Sequence, residues 1–448
     1  MSISASVSRR DDLSFSSELD SGRNGLLCAV SVGVILLFIH GGSNEPFMDD
    51  FSYAKTALEF ARTGHFVYNG WATAMLGWQV PWGALVIKLF GFSFRALQLS
   101  MVPLSMASVY LFHQVLRRFG ITPANAILGT LTLALSPLFL PLAVSFMTDI
   151  PGLLVILLCM HMCQSAAAAR TARTAILWLT AATAVNIFGG TVRQIAWLGA
   201  LIMVPSTAWM LRRWRGMKLA GALLFLLSFL SVLGFMHWFA AQPYNVPQHV
   251  FNGPISMRMA IHGIVQAAKT ILCLLLIVLP VMVAWIGPLR RLPASRRWSI
   301  VVASALITAA LAVLSAHRGA DGLLAPWLRP LIAAQSFSIS IYPGVSVEKC
   351  LFLLAIGLTF IVLLGSASFL ALMSDSYRQV GWQRPLRFPS EALLIVGPFS
   401  LAYTAFLLPS GVYIFIQDRY VLGLVPTAVI FFSCFIKRGS VCAFQGRP

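Results

Sequence analysis

The run Gly25–Gly41, GLLCAVSVGVILLFIHG, is followed almost at once by Asn44–Ala54, NEPFMDDFSYA. The first stretch carries no charged residue and approaches the roughly 20 mostly apolar residues that a helix needs to cross a bilayer. The second sets two adjacent acids, Asp49 and Asp50, where that helix would leave the membrane. A carboxylate pair at the mouth of a membrane bundle costs desolvation free energy, so it persists most readily where water, a cation or a polar substrate must be held. The pair predicts a polar site facing outward.

The apolar pattern recurs along the whole chain. Hydrophobic residues make up 58% of the 448 and charged residues 10%, with mean hydropathy +0.82; soluble domains carry about 25% charged residues. Spans are expected near 25–41, 95–115, 121–139, 150–167, 174–190 and 194–211, then near 219–240, 265–287, 299–316, 350–373, 391–410 and 420–436. This predicts an all-α polytopic membrane protein of about 12 transmembrane helices. Residues 1–24 form a cytoplasmic tail, 25–436 the transmembrane domain, and 437–448 a second short cytoplasmic tail.

Charge tests the count, because cytoplasmic loops collect Lys and Arg. With the N-terminus inside, 21 of the 32 basic residues fall on inside segments, including Arg117 and Arg118, Arg212, Arg213, Arg215 and Lys218, and Arg290, Arg291, Arg296 and Arg297. The acids Glu45, Asp49, Asp50, Glu59, Asp149, Asp321, Glu348 and Asp418 fall outside or at span mouths. The net charge of +18 is therefore a topology signal matched to anionic inner-leaflet lipid, and nucleic acid is not an expected partner. The serine-rich tail with Asp11, Asp12, Glu18 and Asp20 reads as a disordered arm. The seven cysteines show neither a disulfide framework nor zinc spacing, and the first apolar run reads as an uncleaved span.

The longest outside segment, about 42–94, holds the acid pair. Within residues 50–62, Phe51, Ala54, Leu58 and Ala61 recur at helical spacing opposite Lys55, Glu59 and Arg62, which predicts an amphipathic interfacial helix. Residues 80–92, interrupted by Pro81 and Lys88, are too short to span and predict a second interfacial or re-entrant helix. Segments 241–264 and 317–349 read as ordered outside loops. The aromatic residues Tyr68, Trp71, Trp78 and Trp82 fit an interfacial belt better than a sugar-stacking surface. His65, His237, His249 and His262 lack metal-ligand spacing.

The run Asp49-Asp50-Phe51-Ser52-Tyr53-Ala54, opening the first outside loop before an amphipathic helix that ends near Gly64, resembles the glycosyltransferase C superfamily. The nearest branch is the protein O-mannosyltransferase and aminoarabinose transferase group. Lys88-Leu89-Phe90-Gly91 with Arg95 beyond, Asp149 in Phe146-Met147-Thr148-Asp149-Ile150-Pro151, and Asp418-Arg419-Tyr420 leading to Pro426 fall in that group's order. The chain departs from it at Gln79-Val80-Pro81, where Lys-Pro-Pro is frequent, and at Arg193, where the group has Lys. The resemblance implies a fold of the same type with a periplasmic first loop. It further implies an inverting enzyme of the bacterial inner membrane that moves a sugar from a polyprenyl-phosphate donor to a protein, lipid or glycan acceptor.

Such a transfer needs a carboxylate to accept the acceptor hydroxyl's proton, and by resemblance Asp49 occupies the base position with Asp50 beside it. Asp is also a favoured N-cap, so one of the pair can cap the helix while the other reacts. Asp149 is by resemblance a second carboxylate for acceptor or sugar, and by spacing equally a helix N-cap ahead of Pro151. A departing lipid phosphate needs cations, and Arg193 and Arg419 are the candidates. Each has a plainer alternative in snorkelling or in pairing with an acid, Asp418 for Arg419. Tyr53 and Tyr420 complete the expected substrate-binding set. No cofactor is expected, and a divalent metal between Asp49 and Asp50 is less expected than none, since a lipid monophosphate needs less neutralisation than a nucleotide diphosphate. The alternative function is a transporter, flippase or polymerase of lipid-linked saccharides. A transporter would call for mid-span ionisable residues and interrupted helices in matching halves.

Overall fold

A computed structural model describes residues 3–39, 44–246 except 48 and 72, 256–317 except 284, 285, 287, 288 and 291, 357, 360–374 except 373, 390–413, and 418–441. The described residues form helices and connecting turns, with no strand among them. Four helices are long and apolar enough to cross a membrane: Ser21–Ile39, Phe94–Arg118, Asp149–Ala167 and Met217–Ala240. The protein is an all-α polytopic membrane protein, as its composition predicts.

The helices follow the expected order. The first, α1 (Ile3–Ile39), continues the span outward through the serine-rich arm. Disorder was the expectation there, but extending an existing helix adds a hydrogen bond for each residue fixed and requires no new nucleus. Next come α2 (Asp50–Thr63) and α3 (Gln79–Phe90), two short helices in the segment after the first span. Gly64 ends α2 in the left-handed region, φ 74°, with its N–H on the Phe60 carbonyl. The buried face of α2 is not the apolar stripe read from periodicity. Asp50, Tyr53, Ala54 and Ala57 are buried, while Phe51, Leu58 and Ala61 are only half-buried. The rotation follows from Phe51 turning outward to pack on Trp71.

Helices α4 (Phe94–Leu99) and α5 (Val102–Arg118) together form the next span. The span expected at 121–139 is broken into α6 (Pro123–Ala134) and α7 (Phe139–Ala143). Pro137 lies between them and cannot donate to a helical ladder, and the Ser136 hydroxyl accepts the Phe139 N–H at 3.1 Å instead. α8 (Asp149–Ala167) is the most enclosed candidate span and packs against α5 and α9 (Ala172–Gly189). The span expected at 194–211 is irregular: a 3-10 turn at Gln194–Trp197, a π turn at Gly199–Met203, then α10 (Val204–Met210). Pro205 removes one ladder donor, and Asn186 Oδ1 takes the Ala200 N–H at 2.6 Å. α11 (Met217–Ala240) leaves Leu219, Leu223, Leu226, Leu230 and Leu233 more than half exposed, an apolar surface suited to lipid.

The chain divides into two units. The first comprises Met1–Ala134, Leu142–Gln248 and Glu391–Ala402 and contains α2, α3 and α8 to α11. The second comprises Leu135–Pro141, His249–Ser390 and Tyr403–Pro448. Within it, α12 (Met257–Ile277) begins inside the expected outside loop, followed by α13 (Leu279–Val283) and α14 (Ala294–His317). Near the C-terminal end, a 3-10 turn at Asp418–Leu424 leads into the helix Val425–Val441. Phe369 packs edge-on to Phe432 there, with centroids 5.2 Å apart. Most of the segment 317–349 lies outside the described residues.

Candidate functional site

The site grows from the strap 44–50 that connects α1 to α2. Asn44 Oδ1 accepts from the Ser93 hydroxyl at 2.9 Å and from the Arg95 N–H at 3.0 Å, tying the strap to the start of α4. Gln98, on the same helix, donates its amide to the Glu45 carbonyl at 3.0 Å and to Asp50 Oδ2 at 2.9 Å. The Phe47 N–H closes on Asp50 Oδ1 at 2.6 Å. Asp50 is completely buried. Burial pushes its carboxyl above the usual carboxylate range, and the adjacent Asp49 charge adds to this. The donors from Gln98, Phe47 and the Phe146 backbone offset part of the rise.

Asp49 differs from its neighbour. It stands at the cap of α2, but its side chain makes no capping hydrogen bond. It is half-exposed, and the Trp71 indole donates Nε1–H to its Oδ1 at 3.1 Å. Trp71 reaches back over α2 because Gly70 adopts φ 74°, a conformation that costs glycine little. Asn69 holds this loop to α2. Its Oδ1 accepts from the Ser52 hydroxyl at 2.8 Å, and its Nδ2 donates to the Ser52 carbonyl at 2.8 Å and to Thr56 Oγ1 at 3.3 Å.

A second acid opens α8. Thr148 is the N-cap residue and Asp149 the first helical one, so Asp149 does not itself cap. Arg193 Nη1 lies 2.8 Å from Asp149 Oδ1 and donates to Thr148 Oγ1 at 3.1 Å. Asp149 is 1% exposed and Arg193 14%. The contact is an ion pair at close range without hydrogen-bond alignment, and neither Asp149 oxygen has a hydrogen-bond partner among the described residues. Gly152, one turn on, makes room for the pair: a Cβ there would stand 2.9 Å from Arg193 Cδ. The turn before α8 also reaches the first acid pair. Phe146 turns its N–H toward Asp50 and receives the Gln79 amide on its carbonyl at 2.9 Å.

The first unit holds Asp49, Asp50, Asp149 and Arg193, and the Phe146 N–H links Asp50 to the turn that precedes Asp149. The other expected residues are placed differently. Tyr53 is buried on α2 at 4% exposure. Tyr420 is half-buried in the second unit and accepts the Tyr403 hydroxyl on its backbone carbonyl at 2.9 Å. Arg419 belongs to the turn Asp418–Leu424, and its side chain lies outside the described residues. Among the described residues, no three His, Cys, Asp or Glu side chains gather as a metal site. A cavity of about 520 Å³ is lined by Phe66, Trp78, Phe188, Phe235 and Trp238 and by Thr191, two residues before Arg193 in the chain.

Gln98, Asn69 and Gly152 drew no notice in the sequence. Gln98 is the most legible in retrospect, as an amide facing the interior from an apolar helix. Trp71 is hydrogen-bonded to a carboxylate, which a purely interfacial belt residue would not require.

No protein-family model matches the chain, and no curated protein does. Solved structures similar to it include two of the same protein. One is the crystal structure of ArnT from Cupriavidus metallidurans in the apo state, with TM-score 0.38 and 13% identity over 92% of this chain and 77% of that one. The other is ArnT from the same organism bound to undecaprenyl phosphate, with TM-score 0.38 and 14% identity over 93% of this chain and 78% of that one.

Proposed function

We propose that the protein is an inverting glycosyltransferase that takes a sugar from a polyprenyl-phosphate donor and passes it to a hydroxyl acceptor on the periplasmic face of a bacterial inner membrane. One observation carries this reading: two adjacent carboxylates at a helix start divide between a sealed position and an open one. Asp50 is closed in by hydrogen-bond donors, which makes it a poor partner for substrate and a good anchor for the strap. Asp49, half-exposed and hydrogen-bonded by the Trp71 indole, can meet a polar acceptor.

In the proposed step the acceptor oxygen attacks the anomeric carbon from the face opposite the phosphate. The new carbon–oxygen bond forms as the bond to the phosphate oxygen breaks, and the hydroxyl proton passes to Asp49. The phosphate leaves with the bonding electron pair. Arg193 is the cation assigned to that charge, with Asp149 holding its guanidinium in place. A buried Asp149 oxygen without a hydrogen-bond partner also offers an acceptor for a sugar hydroxyl. The apolar cavity suits a prenyl chain. Arg419 and Tyr420 are further candidates for the donor phosphate on the sequence resemblance.

The test is release of polyprenyl phosphate from a panel of polyprenyl-phosphate sugars by the purified protein, compared with Asp49→Asn. Wild-type turnover should fall by about 10²- to 10⁴-fold in the variant, the usual contribution of a general base. Full activity in Asp49→Asn would remove Asp49 from the reaction. Absence of turnover with every donor, with labelled lipid crossing between leaflets of liposomes, would replace the enzyme by a flippase.

A further inference from the structure

Of the four aromatic residues Tyr68, Trp71, Trp78 and Trp82, Trp71 is arranged unlike the rest. Tyr68 is buried with its hydroxyl on the Met75 carbonyl. Trp78 and Trp82 are half-buried, and the Trp82 indole donates to the Ser100 hydroxyl at 3.1 Å. Trp71 is 62% exposed. It is nevertheless fixed, by its hydrogen bond to Asp49 and by edge-to-face packing on Phe51 with centroids 5.3 Å apart and planes at 61°. The Asn69 clasp anchors the residues just before it. Lys55 lies 5.6 Å over the other partner, Phe51. An indole held by polar ties beside a carboxylate and an ammonium is not arranged as a greasy anchor.

Exposing so large an apolar ring costs free energy unless something covers it. The covering group must present an apolar face to the ring and hydroxyls to Asp49. A pyranose does both: its axial C–H groups form an apolar face, and its equatorial hydroxyls point outward. Because the ring is already held, little conformational freedom remains to be lost on binding.

We propose that Trp71 is a saccharide-binding platform. Its exposed face takes the C–H face of a pyranose, and its Nε1–H positions Asp49 toward a hydroxyl of the same site. This rests on the transferase reading for the identity of the ligand. The pyranose belongs either to the donor or to the acceptor, and the two sources are separable.

The experiment is hydroxyl-radical footprinting of the full-length Asp49→Asn protein, with oxidation of Trp71 read by peptide mass spectrometry. One arm uses a panel of methyl glycosides and the other a panel of polyprenyl-phosphate sugars. Trp71 oxidation should fall several-fold in at least one arm, while oxidation of the exposed Trp209 on α10 should not change. Protection by the glycosides alone makes the platform an acceptor subsite, and protection by the lipid-linked sugars alone a donor subsite. In the wild-type background, Trp71→Phe keeps a ring face and loses the donor, so it should lower kcat about tenfold and leave KM near its wild-type value. Trp71→Ala should also raise KM about tenfold. Turnover without protection of Trp71 overturns the platform and leaves the transferase standing. Protection without turnover of any donor leaves the platform standing and overturns the transferase. Equal losses of kcat in both variants with unchanged KM would reduce Trp71 to a structural part.

Discussion

Asp50 and Asp149 are each the first residue of a helix, each follows a cap residue that makes no side-chain capping bond, and each is buried. They are stabilised by different means. Asp50 is held by neutral donors, Gln98 Nε2, the Phe47 N–H and the Phe146 N–H. Asp149 is held by a guanidinium, with no hydrogen bond on either oxygen among the described residues. Neutral donors in fixed places lock a carboxylate and use up its lone pairs. A single charge at close range neutralises it and leaves lone pairs for another molecule. The molecule therefore contains a structural acid and a receptive acid in equivalent helical positions, and the composition of their surroundings sets them apart.

The contrast breaks most readily at Arg193. Arg193→Ala should cost about 3–5 kcal/mol, because it leaves Asp149 buried without a counter-charge. The double variant Arg193→Met with Asp149→Leu should recover most of that. Thermal unfolding in detergent measures both, and equal losses in the two variants would mean that the ion pair is not what matters at this position. A smaller effect is expected at Gln98. Gln98→Leu removes one charged-group hydrogen bond from Asp50 and should cost about 1.5–3 kcal/mol. A loss exceeding that of Arg193→Ala would reverse the ranking of the two cradles.

The smallest effect is in pH dependence. Asp50 holds its proton more tightly in the folded protein than in the unfolded chain, since burial raises its pKa. Its contribution to stability is therefore fully present below the ordinary carboxylate value, and it is lost as pH rises through the raised folded value. The difference in melting temperature between wild type and Asp50→Asn should drift against the wild type across that window and level off above it. A difference that drifts the opposite way would mean that the donors outweigh the burial.

Much of this architecture was legible in the residues. Apolar runs and alternating basic loops predicted the order of helices, and Gly64 marked the end of α2. The acid pair was legible as a site. Which acid is sealed was not, because that depends on Gln98, 48 positions away along the chain, and on a backbone N–H at Phe146. No local pattern encodes such a contact. Helix irregularity was equally hidden: apolar content at 121–139 and 194–211 measures burial, whereas Pro137 and Pro205 act on the hydrogen-bond ladder. The pairing of Arg193 with Asp149 rather than with lipid required Gly152 to leave space, and a glycine inside an apolar run carries no signal of what passes over it.

The segment 66–70 has two attachments. Asn69 ties it to α2, while the Tyr68 N–H reaches the Pro243 carbonyl at 3.2 Å and the Gly70 N–H the Tyr244 carbonyl at 2.9 Å, just past the end of α11. It works as a tie rod between a lipid-facing helix and the residue that touches Asp49. A change of bilayer thickness that tilts α11 would pull on this rod and alter the placement of Trp71 without touching the acid pair itself. Membrane thickness would then act as a dial on the site.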